Sequence, residues 1–351
     1  MKVSAEALSA FCVAALRQTG VNEQDACLTA ELLVLTDTWG VFTHGTKNLR
    51  GYLRRLRAGG IRADAVPQIV SDGPSWAIVD AGSGLGMVGS RFAMRAAIAK
   101  ARTAGIGFAG VRNSCHFGAA GCYAAMAAGE NMIGIAMAND IPSVTAPGSR
   151  AAVLGSNPLA FALPTGDARP ILLDMATSAV AGGKVFAAAT LGKSIPNNWI
   201  VDADGLPTTD PRVFPHAGAL VPMAGHKGYG IALLVETLSA ILTGASIAGH
   251  VLSWSFDDPT RATGHGAAFF AIDLNAMMPG SLFHQRLRQT MEEIRAAPKA
   301  QGAERIYLPG EMEWDRRDRA LREGIELPED VLVNLREVAG ETSLELPAAR
   351  R

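Results

Sequence analysis

The connections between strand-like segments in the middle of the chain constrain its fold most strongly. Apolar runs typical of buried strands occur at residues 132–139, 159–165 and 170–176, and only the turn sequence GDARP separates the last two. Parallel neighbours need a crossover of a dozen or more residues, usually a helix. The short turn therefore predicts antiparallel neighbours and argues against a sheet made only of helix-linked parallel strands.

Near both ends of the chain, apolar residues recur with the spacing of about 3.6 residues that is typical of helices. Ser4 and Asn22 are suited to cap two amphipathic helices, and a third helix is predicted from about residue 43 to residue 56, before the sequence AGG. From Asn275 onward the chain is charged and helical, and residues 328–340 form a last amphipathic helix. The ends are therefore predicted to be helical.

These patterns predict a mixed α/β fold with a largely mixed or antiparallel sheet. Further strands are expected at residues 76–80, 106–111 and 267–274, and further helices at residues 88–105, 117–129 and 228–244. We expect the helical segments at residues 1–75 and 276–351 to pack together as one lobe. Residues 76–275 then form a second, αβ lobe.

Composition narrows the class of protein. The 351 residues are 48% apolar, enough for a large core, and 32 basic residues nearly balance 33 acidic ones. A net charge of −1 gives no sign of a basic surface for nucleic acid. The sequence has no apolar run of about 18 residues, so no membrane span is predicted. The four cysteines form no CxxC pair, and the N-terminus lacks the shape of a signal peptide, so a cytoplasmic location is expected.

The sequence Gly84-Leu-Gly86-Met-Val-Gly89 matches the GxGxxG pattern between a predicted strand and a predicted helix, which is the context of a dinucleotide site. The acidic residue expected after the second strand is replaced by Arg112 and Asn113. Because an arginine suits a 2′-phosphate, a Rossmann enzyme remains one alternative. The short strand connections favour the other interpretation, in which the glycines allow close packing of a helix on the sheet.

An imidazole followed by small residues marks residues 113–123, NSCHFGAAGCY. Small residues leave room for a ligand to approach the backbone, and His116 can transfer a proton near neutral pH. The alternative is a half-buried histidine at the start of a helix. The segment is therefore a candidate catalytic site only in combination with others.

A second histidine lies in the sequence THGTKNLRGYL, residues 43–53. On a continuous helix His44, Asn48 and Tyr52 would share one face, and a polar stripe predicts a face turned toward water or a polar ligand. The residues expected to orient this face or to give it positive charge are Thr43, Lys47 and Arg55. A solvated helix surface is the alternative interpretation.

Groups suited to an anionic cofactor occur at strand and helix ends. Asp140 and Asp174 end apolar strands, where αβ folds hold ligands. Lys227 lies among glycines at the start of an apolar helix, where backbone N–H groups attract anions. No spacing typical of metal ligands surrounds His44 or His116, so no metal site is predicted.

Seven segments in order along the chain carry a resemblance to a known family. They are THGTKNLRGYL, HFGAAGCYAAMAAGENMIGIAMAND, APGSRAAVLGSNPLAFALPT, ILLDMATSAVAGGKV, DADGLPTTDP, GHKGYGIALLVETLSAILTGA and LPGEMEWDRRDRALREGI. Together they resemble the type 2 malate/L-lactate dehydrogenase family, which includes ureidoglycolate, sulfolactate and 2,3-diketogulonate oxidoreductases and a cyclic-imine reductase.

This resemblance implies an oxidoreductase that uses NAD or NADP and transfers a hydride between nicotinamide and a small 2-hydroxy or 2-oxo acid. It also implies a cofactor fold that is not a Rossmann fold, and a homodimer with sites near the interface. By this resemblance, the lobe of residues 1–75 and 276–351 serves substrate binding and dimerisation, and the lobe of residues 76–275 binds the cofactor. By match, His116 and His44 are the proton donor or acceptor. The positions that match cofactor contacts are Asn139, Asp140, Asp174, Met175, Ala176, Lys227, Gly310 and Glu311.

Two departures from the family pattern affect the substrate. Thr43 replaces the usual serine before the first histidine and keeps the hydroxyl. Asn48 replaces the usual arginine, so a bidentate clamp for the substrate carboxylate is lost. Asn48, Tyr52 and Lys47 are taken as substrate-binding residues, and the cations expected to replace the lost clamp are Lys47, Arg50 and Arg55. A cyclic-imine or ketone reductase, or a nucleotide-binding protein without catalysis, remains an alternative.

Overall fold

The computed structural model describes residues 1–167 and 169–350. In these residues the helices are α1 (Ala5–Arg17), α2 (Glu23–Thr38), α3 (Leu49–Ala58), α4 (Gly86–Ala104), α5 (Ala120–Gly129), α6 (Gly182–Thr190), α7 (His226–Glu236), α8 (Gly280–Ala296), α9 (Glu311–Glu323) and α10 (Glu329–Thr342). The strands are β1 (Lys2–Val3), β2 (Gln68–Asp72), β3 (Trp76–Asp80), β4 (Ile106–Ser114), β5 (Met132–Ala138), β6 (Val144–Thr145), β7 (Ala152–Leu154), β8 (Leu159–Leu163), β9 (Ile171–Met175), β10 (Ile200–Val201), β11 (Pro207–Thr208), β12 (Ala219–Leu220), β13 (His265–Asp273) and β14 (Ile325–Glu326).

A seven-stranded mixed sheet with the order β2-β3-β4-β13-β5-β8-β9 forms the centre of the fold. Only β3 and β4 pair in parallel, and helix α4 connects them. The other neighbours are antiparallel, including β8 and β9 on either side of the short turn. The predicted mixed sheet is therefore confirmed, as is the prediction that the short turn joins antiparallel strands.

The register of this sheet brings several strand ends to one edge. His265 at the start of β13 pairs with Ser114 at the end of β4, and two residues later β13 pairs with the end of β5. Leu159 at the start of β8 pairs with Met175 at the end of β9. Residues that follow β4, β5 and β9 therefore lie close together, although the sequence separates them widely.

The GxGxxG segment packs α4 against the sheet. A Cβ atom built on Gly86 would lie 2.3 Å from the carbonyl oxygen of Cys115, and one on Gly89 would lie 2.9 Å from the Cβ of Ala81. Arg112, the alternative ligand for a 2′-phosphate, donates to Asp80 over 3.1 Å. The mostly antiparallel sheet rules out a Rossmann fold, and the close contacts at Gly86 and Gly89 support the interpretation that the glycines serve packing.

The two ends of the chain meet beside the sheet. β1 pairs with β14, α2 packs on α9, and α3 packs on α10. One apolar core extends from Val3 to Val338 through these helices and the large sheet. Next to it, α6 and a small sheet with the order β11-β10-β12-β6-β7 carry a second apolar cluster. The division into lobes at residues 75 and 276 remains a prediction. No helix in the described ranges is long and apolar enough to cross a membrane.

Candidate active site

The segment that carries His44 is not the continuous helix that its sequence predicts. Two short 3₁₀ turns, Phe42–His44 and Thr46–Asn48, precede α3. Asp37 at the end of α2 causes the break, because its carboxylate accepts from the backbone N–H of Thr46 over 3.1 Å and from its hydroxyl over 2.5 Å. A Cβ atom on Gly45 would lie 1.7 Å from Asp37 Oδ1, so only glycine fits between the turns.

His44, Asn48 and Tyr52 therefore do not share one face of a continuous helix, although their spacing predicts that they do. Tyr52 and Asn48 are buried rather than turned toward water. The amide of Asn48 donates to the carbonyl oxygen of Thr43 over 2.9 Å and so holds the His44 turn. His44 itself is half-buried, and its Nδ1 lies 3.0 Å from the Thr43 hydroxyl.

His116 and Tyr52 form the closest polar contact of the site. The Tyr52 hydroxyl lies 2.6 Å from Nδ1 of His116. Burial raises the pKa of Tyr52 well above its ordinary value, so the phenol keeps its proton and can donate it to Nδ1. Burial, together with the neighbouring His44, lowers the pKa of His116 to about 3. His116 is therefore neutral at pH 7, and a bond donated by the phenol puts the ring proton on Nε2.

The two predicted catalytic histidines do come together. The rings of His44 and His116 are stacked, with centroids 5.6 Å apart and an angle of 27° between their planes. Burial lowers the pKa of His44, whereas the carboxylates of Asp174 and Asp140 act in the opposite direction. Burial outweighs these two carboxylates, so the neutral form of His44 is favoured, and the carboxylates only reduce the cost of placing a positive charge on the ring.

Two further residues of the site were missed by sequence reasoning. Trp254 stacks on the His116 ring at 4.6 Å, and on the Tyr52 ring at 5.2 Å. His265, only 3% exposed, places Nε2 at 3.4 Å from Asp140 Oδ1 and Nδ1 at 2.9 Å from the hydroxyl of Thr263. The available signal for His265 was a histidine placed just before the predicted strand at residues 267–274. Trp254 lies in a loop without periodicity, and nothing in its segment indicated the contact.

The two strand-end carboxylates differ in their surroundings. At Asp140 burial acts to raise the pKa, but the hydrogen bond and charge of His265 outweigh it, and the pKa lies below its ordinary value. Asp174 accepts from the backbone N–H of Gly121 over 2.7 Å, yet enclosure in the cleft raises its pKa although the side chain keeps contact with solvent. Met175 and Ala176, at the end of β9 and just after it, are half-buried.

Lys227 lies in the first turn of α7 and is exposed. No side chain caps this helix, and its N-cap residue Gly225 leaves open space around its Cα. A backbone bond from Met223 N–H to the carbonyl oxygen of Thr177 ties the segment before α7 to the chain that follows β9. The Gly228 N–H group of the first turn donates to the Met223 carbonyl oxygen over 3.1 Å. Lys227 and the start of α7 thus accompany the Asp174 strand end.

Gly310 and Glu311 lie along the outer strand β9. Gly310 has a φ of +88°, and the carbonyl of the preceding Pro309 accepts from Leu172 N–H over 3.0 Å. The Glu311 carboxylate accepts from Leu308 N–H and from Arg295. A cavity of about 470 Å³ opens here between the β8–β9 turn, α8 and α9. Its lining includes Ile171, Arg305, Leu308, Glu311 and Trp314.

The cations expected to replace the lost arginine clamp are all engaged elsewhere. Lys47 pairs with Asp330 over 2.8 Å, and Arg50 pairs with two glutamates of α10. Arg55 is completely buried and donates to backbone carbonyls of residues 253–261. In this structure all three cations therefore contact groups other than the histidine pair, and a replacement of the clamp by one of them stays a prediction.

The described part of the chain holds no group of three or more His, Cys, Asp and Glu side chains that could bind a metal ion. What the site does offer is three imidazoles, a phenol and two carboxylates near one edge of a sheet. These groups can exchange protons with a small molecule and can accept hydrogen bonds from its hydroxyl groups.

The chain is similar along nearly its whole length to known dehydrogenases. Malate dehydrogenase from Pyrococcus horikoshii is 38% identical over 98% of this chain and 96% of that protein. Ureidoglycolate dehydrogenase (NAD+) from Escherichia coli K12 is 35% identical over 94% of each chain. The solved structure of the Pyrococcus horikoshii malate dehydrogenase superposes with a TM-score of 0.90 at 36% identity, over 98% of this chain and 96% of that one. The fold and these relatives define a dehydrogenase or reductase that uses a nicotinamide cofactor. The profile of the malate/L-lactate dehydrogenase family matches residues 3–336, and the chain belongs to that family.

Proposed function

We propose that this enzyme transfers a hydride between NAD or NADP and a small 2-hydroxy or 2-oxo acid, with the reacting oxygen between His116 and His44. The stacked imidazole pair, with the Tyr52 hydroxyl on His116 Nδ1, carries the proposal. The names of the relatives support it, since malate and ureidoglycolate are both 2-hydroxy acids. A cyclic imine presents a C=N bond in place of the C=O bond and is the alternative substrate.

The residues around the imidazole pair fit a pyridine nucleotide. Asp140 and Asp174 can accept hydrogen bonds from ribose hydroxyls, and Lys227 with the uncapped start of α7 suits a phosphate. The cavity beside Glu311 is lined by Ile171, three residues before Asp174 on β9 and therefore about 10 Å from it. We infer that Met175, Ala176 and Gly310 lie along the same cofactor.

Bound nicotinamide supplies or accepts the hydride at C4. The chain's own residues manage the proton and the geometry. Because Tyr52 occupies Nδ1 of His116, the Nε2–H group is free to donate to the oxygen of a 2-oxo acid and to polarise its C=O bond. His44, stacked beside it and oriented by Thr43, is the second imidazole able to give or take the proton. Acid–base catalysis of this kind contributes about 10²–10⁴-fold in rate.

Asn48 and Tyr52 act on the substrate indirectly. Asn48 holds the Thr43 carbonyl and hence the His44 turn, and Tyr52 fixes the His116 ring. The substrate carboxylate therefore meets a site without the family's usual arginine. We expect this difference to shift the preference among 2-oxo acids and cyclic imino acids rather than to abolish the reaction.

The test is a screen of absorbance at 340 nm with NADH and NADPH over 2-oxo acids, ketolactones and cyclic imines. His116→Ala and His44→Ala are run beside the wild type on the best substrate. We expect turnover in the wild type, near-normal nucleotide binding in both variants, and the larger loss of kcat in the variant that lacks the proton-transferring imidazole. Tight nucleotide binding without turnover over the whole panel would support the non-catalytic alternative instead.

We also propose a homodimer in the cytoplasm. An exposed apolar stripe on α7 and the π-helical turn after it supports the dimer. Its members are Leu233, Leu234, Ile241 and Leu242. The four cysteines are free thiols, which suits a reducing compartment. Light scattering of the purified protein measures the mass of the assembly directly.

A further inference from the structure

A buried arginine holds the loop that carries Trp254. We call residues 253–261 the tryptophan loop. Arg55, with no exposed surface, donates from Nε to the carbonyl oxygen of Trp254 over 2.6 Å, from Nη2 to that of Ser253 over 2.6 Å, and from Nη1 to that of Arg261 over 2.7 Å. One side chain of α3 therefore binds both ends of this loop.

Two glycines near Arg55 make room for the same loop. A Cβ atom on Gly51 would lie 2.6 Å from the indole ring of Trp254, and a Cβ atom on Gly60 would lie 2.2 Å from the carbonyl oxygen of Pro259. The Gly60 N–H group also donates to that carbonyl over 3.1 Å. A side chain at either glycine would displace the loop, so α3 and the turn after it form a docking surface built for it.

The docked indole covers the hydrogen bond between Tyr52 and His116. Its plane lies 22° from each of their planes, and those two rings lie side by side with the hydroxyl on Nδ1. The aromatic face against this edge keeps water away from the hydrogen bond, because water would otherwise compete with the Tyr52 hydroxyl for Nδ1. It also restricts rotation of the imidazole about its side-chain bonds.

We propose that Arg55 and Trp254 are positioning residues: Arg55 fixes the tryptophan loop, and Trp254 holds the His116 imidazole on the Tyr52 hydroxyl with Nε2 free for the substrate. The proposal rests on the proposed role of His116 and goes beyond it, since neither residue lies within hydrogen-bonding reach of that ring. Burying a guanidinium against backbone carbonyls costs free energy of folding. This cost supports a functional reason for fixing the tryptophan loop in this position.

Other charged or titratable groups also act on His116 and must stay constant in a test. Tyr52 faces it from α3, His44 from the turn before α3, Asp140 from the end of β5, and His265 from β13. Substitutions at residues 55 and 254 leave all four in place. We call the Trp254 ring, as it lies over the Tyr52–His116 hydrogen bond, the indole cover. A change in the titration of His116 in these variants then reports on the loss of this cover.

The decisive experiment is an NMR titration of the ligand-free protein labelled with ¹⁵N-histidine. In the wild type, His116 should be neutral with a proton on Nε2 from pH 5 to pH 8, and the titration is continued below pH 5 because burial lowers the pKa of His116 to about 3. In Trp254→Leu and Arg55→Met the midpoint should rise by about one unit or more as water reaches the ring, and the second tautomer should appear. Trp254→Phe keeps an aromatic face and should resemble the wild type.

Arg57→Met is the matched control, because Arg57 lies on the same helix and makes only an exposed pair with Glu341. Arg55→Lys keeps the charge but lacks the fork, and should behave like Arg55→Met if that variant folds poorly. An unchanged His116 tautomer and midpoint in folded Trp254→Leu would overturn the proposal. Because the titration needs no substrate, it remains readable even if the wild type turns over none of the screened compounds.

Discussion

The Tyr52 hydroxyl lies 2.6 Å from Nδ1 of His116, and the direction of this hydrogen bond determines whether Nε2 of the imidazole carries the proton that a substrate can meet. A histidine with its proton on Nε2 acts as a donor to a carbonyl oxygen. The first turns of α3 thus control the chemistry of a residue 64 positions later in the sequence. This arrangement and its supports lead to four predictions about individual residues.

Tyr52→Phe should lower kcat by about 10- to 100-fold while leaving nucleotide binding unchanged. The variant removes the donor to a buried nitrogen, which costs about 1–3 kcal/mol and releases the tautomer. Since the hydroxyl stabilises the neutral ring, its loss also moves the acid limb of the pH profile of kcat/KM to higher pH. Tyr123→Phe, which removes another buried phenol, should lower stability without moving that limb. An unshifted profile in Tyr52→Phe contradicts the assigned tautomer.

Lys227→Ala should weaken nucleotide binding by about tenfold or more, since a charge-assisted bond to phosphate is worth roughly 1.5 kcal/mol or more. The effect should shrink as salt is added, because the lysine is exposed. Fluorescence titration with NADH and NADPH measures it. Lys2→Ala, which removes an exposed ammonium paired with Glu323, serves as the control. Equal affinities for the two variants would move the phosphate away from α7.

Asp37→Asn should change how stability depends on pH. Burial raises the pKa of Asp37 to about 7, above the ordinary value of 3.8. The folded wild type thus keeps a proton that the unfolded chain loses, and this contribution to stability declines as pH rises from about 4 through 7. The amide of the variant does not titrate and has no such loss, so the variant should gain in Tm relative to the wild type between pH 5 and pH 8. Parallel Tm curves for the two proteins would refute the raised pKa.

Gly45→Ala should destabilise the protein by about 2 kcal/mol and impair turnover, because the new Cβ overlaps the Asp37 carboxylate and must displace the His44 turn. Gly340→Ala is the matched control: it lies within α10 with no atom within 4 Å of the new Cβ, and alanine should stabilise that helix by about 0.5–1 kcal/mol. Urea unfolding of both variants gives the comparison. A Gly45→Ala protein as stable and active as the wild type would show that the turn adapts easily.

Local patterns of the sequence predict much of this fold and part of the site. The helix caps at Ser4 and Asn22 and the short β8–β9 turn follow from chemistry within a few residues, so their predictions are confirmed. The strand-end residues Asp140 and Asp174 could be named because polar groups at the ends of apolar strands are visible in the sequence.

What sequence reasoning missed depends on partners distant in the chain. The break at Gly45 is imposed by Asp37 of another helix, and the indole cover depends on Arg55, which precedes Trp254 by 199 positions. Helical periodicity at residues 43–56 describes a preference of the segment alone, which the buried carboxylate overrides. Side chains that act through another residue leave no periodic signal.

The central claim is that the nicotinamide ring binds beside the His44–His116 pair, at the edge of the sheet where β4, β5 and β9 end. A crystal structure of the protein with NADH or NADPH tests it most directly. The account predicts the ring beside one of the two imidazoles, with room for a substrate carbon about 3–3.5 Å from C4 while the substrate oxygen reaches that imidazole. A ring bound far from both imidazoles, for example at Gly84–Gly89, would contradict it.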